Sequence, residues 1–233
     1  MKFKQLEYWV IPPDCNEEFV SDMEWILETY RMQYNPLVPV ICMDEQPVQF
    51  FGQVRPPIPE TKTHGPREDY EYERKGTGNI FMFTEPLGCR RYVYTCETKT
   101  KEDWARYLSQ LITDHYSNAE KIILVCDNLN THTYGAFYKA FPTEKAFEFR
   151  RKIEIRHTPK HGSWLNIAEC ELSVITRQCV HKRRMENIEM LQSEADAWCD
   201  LRNQKQKGVD WQFSVDKARI KLKRLYPKLI TSN

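Results

Sequence analysis

The run Ile122-Ile123-Leu124-Val125-Cys126 constrains the fold more than any other stretch of this chain. Five apolar residues without alternation describe a strand covered on both faces, and such a strand needs helices above and below its sheet. The run stops at Asp127, which opens Asp127-Asn128-Leu129-Asn130-Thr131-His132. A second apolar strand, 38–43, stops in the same way at Asp44, with Glu45 next. Residues 80–84 and 91–98 read as an antiparallel hairpin turning at Glu85-Pro86-Leu87-Gly88, and 152–157 as a fifth strand.

Helical patterns fall between these strands. Asp14 and Glu17 stand at capping-box spacing ahead of the stripe Phe19, Met23, Ile26, Leu27 and Tyr30, which Pro36 closes, and a short extended piece, 8–11, leads in. Trp104, Leu108, Leu111 and Ile112 mark a second helix, 132–151 a helical stretch, and Ser163 the N-cap of another helix that follows a turn through Pro159 and Gly162. The order strand, hairpin, helix, strand, helix, strand, helix predicts an α/β fold, a mixed sheet with helices on its faces. Residues 52–78, punctuated by Pro56, Pro57, Pro59, Gly65, Pro66, Gly76 and Gly78, read as a long polar loop or arm.

A chain of 233 residues, 41% hydrophobic and 29% charged, has an ordinary globular composition and room for a real core. No apolar run approaches 18 residues and Met1-Lys2-Phe3-Lys4 opens no signal peptide, so the expected setting is cytoplasmic, with no membrane partner. The eight cysteines (15, 42, 89, 96, 126, 170, 179 and 199) form no C-x-x-C pair and read as small hydrophobes of a reducing compartment.

The net charge of +1 hides an asymmetry. Residues 150–233 carry 18 Lys and Arg against 10 Asp and Glu, whereas 1–149 carry 16 against 23. Lys217, Arg219, Lys221, Lys223, Arg224 and Lys228 form one run without an acid. A basic part beside an acidic part suits a polyanion surface next to a cation site, although a solvated basic helix looks the same in sequence.

Two strand-terminal aspartates gain meaning from a third carboxylate. Glu169 and Glu171 fall in the second turn of the helix that begins at Ser163, where Leu165, Ala168, Leu172, Ile175 and Cys179 form the buried stripe. Each glutamate lies roughly 80° to one side of that stripe, so spacing leaves both open. Glu169 shares its flank with Asn166, Ser173 and Thr176, whereas Glu171 lies nearer Trp164 and Gln178. Brought to Asp44 and Asp127, either would complete an oxygen-only site of the kind that binds Mg²⁺ or Mn²⁺. Rival chemistries fit less well: Pro159 breaks the turn that zinc ligation by His157 and His161 would need, and there is no Gly-rich phosphate loop or nucleophile elbow.

Asp44 in Val-Ile-Cys-Met-Asp-Glu, Asp127 in Leu-Val-Cys-Asp-Asn-Leu-Asn-Thr-His, and the segment from Thr158 to Glu169 with its Trp-Leu-Asn-x-x-Glu core together resemble the catalytic domain of bacterial insertion-sequence transposases of the mariner superfamily. The likeness extends to Val54-Arg55-Pro56-Pro57 and to the tail from Asp210 to Pro227. It implies a ribonuclease-H-like fold with a five-stranded mixed sheet and helices on both faces, formed by a single DDE catalytic domain over 1–233. Its parts would be a lead-in strand and helix (1–36), the arm (52–78) and a basic helical C-terminal part (176–233). It also implies that Asp44, Asp127 and Glu169 are the metal-binding triad, with Glu171 outside the motif. The 41 residues between Asp127 and Glu169 leave room for an extra helix at 143–151.

The implied activity is transposition by two Mg²⁺ or Mn²⁺ ions: one activates water against the phosphodiester, the other stabilises the leaving oxygen, and the freed 3′-hydroxyl then attacks target DNA. The partners would be double-stranded DNA (transposon ends and target) and a second copy of the chain on it, with residence on the bacterial nucleoid when bound. The family's helix-turn-helix region, expected ahead of this chain's start, is absent from this sequence, which fits a truncated copy, a separately encoded helix-turn-helix half or a cut piece of a longer protein. Lys160, His161, Trp164, Lys182, Arg183, Arg184 and the basic residues Lys217, Arg219, Lys221, Lys223 and Arg224 are the candidate DNA contacts. A stand-alone ribonuclease-H-like nuclease and a truncated, inactive DNA-binding remnant are the alternatives.

Overall fold

The computed structural model describes residues 16–181, 183–206 and 208–227. Five strands form one sheet in the order β3-β2-β1-β4-β5, from β1 (Val40–Gln53), β2 (Tyr72–Glu85), β3 (Arg90–Cys96), β4 (Ile122–Cys126) and β5 (Ile153–His157). The β1–β2 and β2–β3 pairs are antiparallel, and the β1–β4 and β4–β5 pairs are parallel, so the sheet is mixed as expected. All five residues of β4 are buried.

Two apolar clusters lie on opposite faces. Residues Val40, Cys42, Val48 and Phe50 of β1 enter one, with Met23 and Ile26 of α1 (Glu17–Thr29), Leu172 of α5 (Ile167–Ile175), Leu191 of α6 (Ile188–Gln204) and Ala218 of α7 (Val215–Lys221). Ile41 and Met43 enter the other, with Trp104 and Leu108 of α2 (Lys101–His115), Phe137 of α3 (Gly135–Ala140) and Phe149 of α4 (Thr143–Lys152). Trp104, Phe137, Leu108 and Met43 are wholly buried, each large apolar side chain contributing about 2 to 3 kcal/mol.

Several element limits differ from expectation. β1 does not stop before Asp44 but runs on to Gln53, because β2 remains its antiparallel partner after the ladder to β4 has ended at Cys42. Pro47 is tolerated there, since the side of β1 that faced β4 no longer needs a backbone donor. The arm is correspondingly shorter as a loop: 72–78 belong to β2, and within 54–71 Ile58 and Arg67 form an isolated bridge. The helical stretch at 132–151 is two helices, parted at Phe141-Pro142, and the second, Thr143–Lys152, is the extra helix expected at 143–151. Helix α1 is capped by Asn16, whose side chain accepts from the Phe19 amide; Asp14 and the 8–11 piece lie outside the described residues. All seven described cysteines are free, and among the described residues no helix is long and apolar enough to cross a membrane.

Candidate active site

The parallel ladder leads toward the first two carboxylates and ends two residues before them. Val40, Ile41 and Cys42 pair with Ile123, Leu124 and Val125 at one constant offset, and the same register continued by two residues places Asp44 beside Asp127. On β1 the even-numbered residues Cys42 and Val48 face the α5 cluster, so Asp44 stands on that face too.

Glu169 arrives from α5. The expected cap at Ser163 is instead the first residue of a single 3₁₀ turn, Ser163–Leu165; the cap of α5 is Asn166, whose side-chain oxygen accepts from the Ala168 amide at 3.1 Å. Glu169 is therefore in the first turn, where a carboxylate also meets the positive end of the helix dipole. The Asn166 amide nitrogen donates to the Met43 carbonyl at 2.8 Å, which fastens the start of α5 to the residue before Asp44. Farther along, Gln46 and Thr176 exchange side-chain hydrogen bonds at 2.8 and 3.0 Å, so α5 is strapped to β1 at both ends. The preceding turn needs its glycine: a Cβ on Gly162 would lie 2.5 Å from Pro159 Cγ.

Asp44, Glu45, Gln46, Glu169, Ser173 and Thr176 border an open cleft of about 440 Å³, with Arg177 at its edge. Asp127 borders a neighbouring cleft of about 400 Å³ with Thr158, Lys160, His161 and Ser163. Burial, and behind it the facing charges of Asp127, Glu169 and Glu45, push the Asp44 carboxyl up to about 7, although the Glu45 amide donates to its Oδ1 at 2.8 Å. This is the environment that a divalent cation relieves, and an all-carboxylate donor set fits Mg²⁺ or Mn²⁺ rather than a soft metal. Among the described residues no group of three or more His, Cys, Asp or Glu side chains is placed to hold a metal ion.

Burial works against ionising Asp127, yet the neighbouring His132 imidazole holds its carboxyl below the ordinary value. His132 is wholly buried: Nδ1 is 2.7 Å from Asp127 Oδ1 and Nε2 is 2.9 Å from Glu45 Oε1. Burial disfavours a charged ring, but bonds to Asp127, Cys126 and Glu45 outweigh it and push the ring up to about 12.

Glu171, two residues from Glu169, is elsewhere. It is buried, with Oε1 2.9 Å from Arg91 Nη2 and both oxygens 3.1 Å from Arg202 Nη2, tying α5 to β3 and α6. The candidate DNA contacts divide similarly. Lys160 and His161 are exposed beside Asp127, with His161 in the left-handed region at φ 65°. Trp164 is half-buried and meets Phe213 edge-on at 5.7 Å. Arg183 pairs with Glu194, and Arg184 binds Glu68 and the carbonyls of Asp69 and Glu71 at the base of the arm. Arg219 makes a two-pronged pair with Glu24 at 2.9 Å, and Lys217 donates to the Gln212 carbonyl. Lys221, Lys223 and Arg224 lie on the same C-terminal segment, away from both clefts, while Lys182 and Lys228 are outside the described residues.

Residues 39–192 match the family model of the DDE superfamily endonucleases. The chain belongs to that family. The matched region encloses Asp44, Asp127 and Glu169, and ends before the 217–224 basic run. Among solved structures this DDE-family chain is similar to the Mos1 transposase paired-end complex with left transposon end, with TM-score 0.54 and 15% identity over 88% of this chain and 62% of that one. It is also similar to the Mos1 mariner paired-end complex with Mn (TM-score 0.55, 16% identity, 88% and 62% covered) and to the Mos1 strand transfer complex (0.55, 16%, 85% and 58%). The chain thus spans about three fifths of the length of these relatives. At this identity the likeness establishes the fold, the ribonuclease-H-like α/β sheet with helices on both faces. Compared by sequence with curated proteins, the chain has no significant match.

The residues that sequence reasoning missed are those that place the triad. Asn166 and Glu169 stand at capping-box spacing, a signal hidden by the equally cap-like Ser163. Gln46 and Thr176 carry no comparable signal, and the roles of His132 and Glu45 depend on their meeting across 87 residues.

Proposed function

We propose that this protein is the catalytic domain of a DNA transposase, with Asp44, Asp127 and Glu169 as its metal-binding carboxylates. The observation that carries the reading is that α5, fastened to Met43, delivers Glu169 to the same cleft as Asp44, whose carboxyl feels the charges of both Asp127 and Glu169. Two Mg²⁺ or Mn²⁺ ions, when bound, would activate water against a scissile phosphodiester and stabilise the leaving oxygen. The chain's own part is to bring the three carboxylates together and to keep α5 in register with β1. Arg177 at one cleft and Lys160 at the other offer positive charge to the DNA backbone on either side of the carboxylates.

The solved relatives bear on the substrate: they are a paired-end complex with left transposon end, a paired-end complex with Mn and a strand transfer complex, and the same is proposed for this chain, including assembly of two copies on DNA. A bacterial insertion sequence as its source and a separately encoded helix-turn-helix partner belong to the same proposal. Asp44→Asn, Asp127→Asn and Glu169→Gln should each abolish Mg²⁺-dependent nicking of transposon-end duplex while the protein stays folded. Full nicking by any one of them removes that residue from the triad. Joining of pre-cleaved 3′ ends to a second duplex separates a transposase from a nuclease that only cuts.

A further inference from the structure

The last backbone pair of the parallel β1–β4 ladder is Cys42 with Val125. Asp44 and Asp127 both lie beyond it, so that ladder does not itself hold one strand's carboxylate at a set distance from the other's. A side-chain bridge spans the gap instead. Glu45 points to the opposite face of β1 from Asp44, and its Oε1 is 2.9 Å from His132 Nε2. The other ring nitrogen, Nδ1, is 2.7 Å from Asp127 Oδ1. The ring has no freedom to swing: it is wholly buried and stacks on Trp104, with centroids 5.4 Å apart and planes inclined by 27°. Glu45 is itself 6% exposed at the side chain.

We propose that Glu45 and His132 are a positioning pair that orients the Asp127 carboxylate and sets its spacing from Asp44, without ligating the metal. The imidazole Nδ1 lies against the buried Oδ1 and also 3.3 Å from the Asp127 carbonyl, so Oδ2 is the oxygen left on the exposed side of a side chain 35% exposed, and the residue that anchors the ring is the chain neighbour of the other ligand. Partners of this kind behind a ligand change metal affinity by about 10- to 100-fold when removed. The inference rests on the reading of Asp127 as a metal-binding carboxylate.

Calorimetric titration of the full chain with Mn²⁺, without DNA, tests it alongside thermal unfolding of each variant. His132→Asn and Glu45→Ala should each bind Mn²⁺ about 10- to 100-fold more weakly. Glu45→Gln, which keeps an acceptor for Nε2, should stay within about threefold of the parent, below that range. Leu108→Ala lowers stability from within the same apolar cluster and should leave Mn²⁺ affinity unchanged. Parental affinity in folded His132→Asn overturns the proposal; if that variant does not fold, parental affinity in Glu45→Ala does so. Equal losses in Glu45→Gln and Glu45→Ala would make Glu45 a ligand and also overturn it. Asp127→Asn distinguishes the two levels: loss there with parental affinity in His132→Asn defeats only the positioning role, whereas parental affinity in Asp127→Asn defeats the assignment of Asp127 itself.

Discussion

Glu169 and Glu171 are separated by one residue, and substituting each by glutamine should damage different properties. Glu171 is 1% exposed and faces Arg91, also 1% exposed, and Arg202, 17% exposed. Glu171→Gln keeps the shape and one acceptor oxygen but removes the charge between two guanidinium groups. Arg202 can turn toward water; Arg91 cannot, and is left as a buried cation beside a neutral amide. Breaking a buried pair from one side costs about 3 to 5 kcal/mol, so urea unfolding should show a loss in that range. Chemistry should survive, because Glu171 borders neither cleft: where the variant is folded, Mg²⁺-dependent nicking should stay near the parent's. Glu169→Gln should do the reverse, abolishing nicking with little change in stability, since it removes one of the like charges that press on Asp44. A loss below about 1 kcal/mol in Glu171→Gln would show that the buried cluster does not hold α5 in place. A dead, folded Glu171→Gln beside an active Glu169→Gln would reverse the assignment of the third carboxylate.

Asp44 carries a pH signature. Burial and the neighbouring carboxylates raise its folded pKa to about 7, above that of a free aspartate, so the metal-free protein retains a proton that the unfolded chain gives up. Asp44's own contribution to stability is therefore full below about pH 4 and is lost as pH rises to about 7, by at most about 4 kcal/mol. Asp44→Asn should flatten that fall in thermal scans, and Mg²⁺ should stabilise the parent most at the alkaline end; a parent curve matching that of Asp44→Asn would refute the argument. Asn166→Ala removes a cap worth about 1 kcal/mol and leaves the Met43 carbonyl without its donor, for a combined loss of about 2 to 4 kcal/mol by urea unfolding. Asn166→Asp keeps the cap but sets a carboxylate against that carbonyl, so parental stability in Asn166→Asp would show that the Met43 bond contributes nothing. Lys160→Ala should reduce the salt slope of DNA binding by about 1, whereas Arg219→Ala, already paired with Glu24, should leave it unchanged; equal slopes in the two variants would contradict the division of basic residues drawn from the structure.

What was legible in the sequence was local. The continuous run 122–126 forms β4, and the hairpin at 80–98 stands, because apolar content and turn chemistry decide both within a few residues. The extent of β1 was hidden: beyond Asp44 it changes from a strand buried on both faces to one half-buried against β2, and Pro47 imitates a terminator. The choice of glutamate was hidden for another reason. Periodicity places Glu169 and Glu171 symmetrically about the buried stripe; Arg91 and Arg202, 80 and 31 residues away, cover one of them, while Asp44 and its cleft receive the other. The basic C-terminal part misled in part, because charge counts do not show that Arg219 is answered by Glu24 on a helix 195 residues earlier.

The tandem Asp44-Glu45 draws these observations together. Alternation on a strand sends adjacent side chains to opposite faces, so of the two acids that border the cleft only Asp44 turns its carboxylate to the α5 side. Asp44 turns toward α5, where burial and the neighbouring carboxylates raise its pKa and a cation would relieve it. Glu45 turns toward α2 and α3, where His132 neutralises it at 2.9 Å against Trp104. The same pleat therefore separates the residue that would meet the metal from the residue that braces its neighbour. A one-residue slip of β1 would exchange the two, turning the Glu45 carboxylate to the α5 side and Asp44 against the imidazole, whose reach the shorter side chain does not match. The Asn166 bond to the Met43 carbonyl and the Gln46–Thr176 pair resist that slip from the α5 side. Residues that touch no substrate thus fix which of two adjacent carboxylates the chemistry can use.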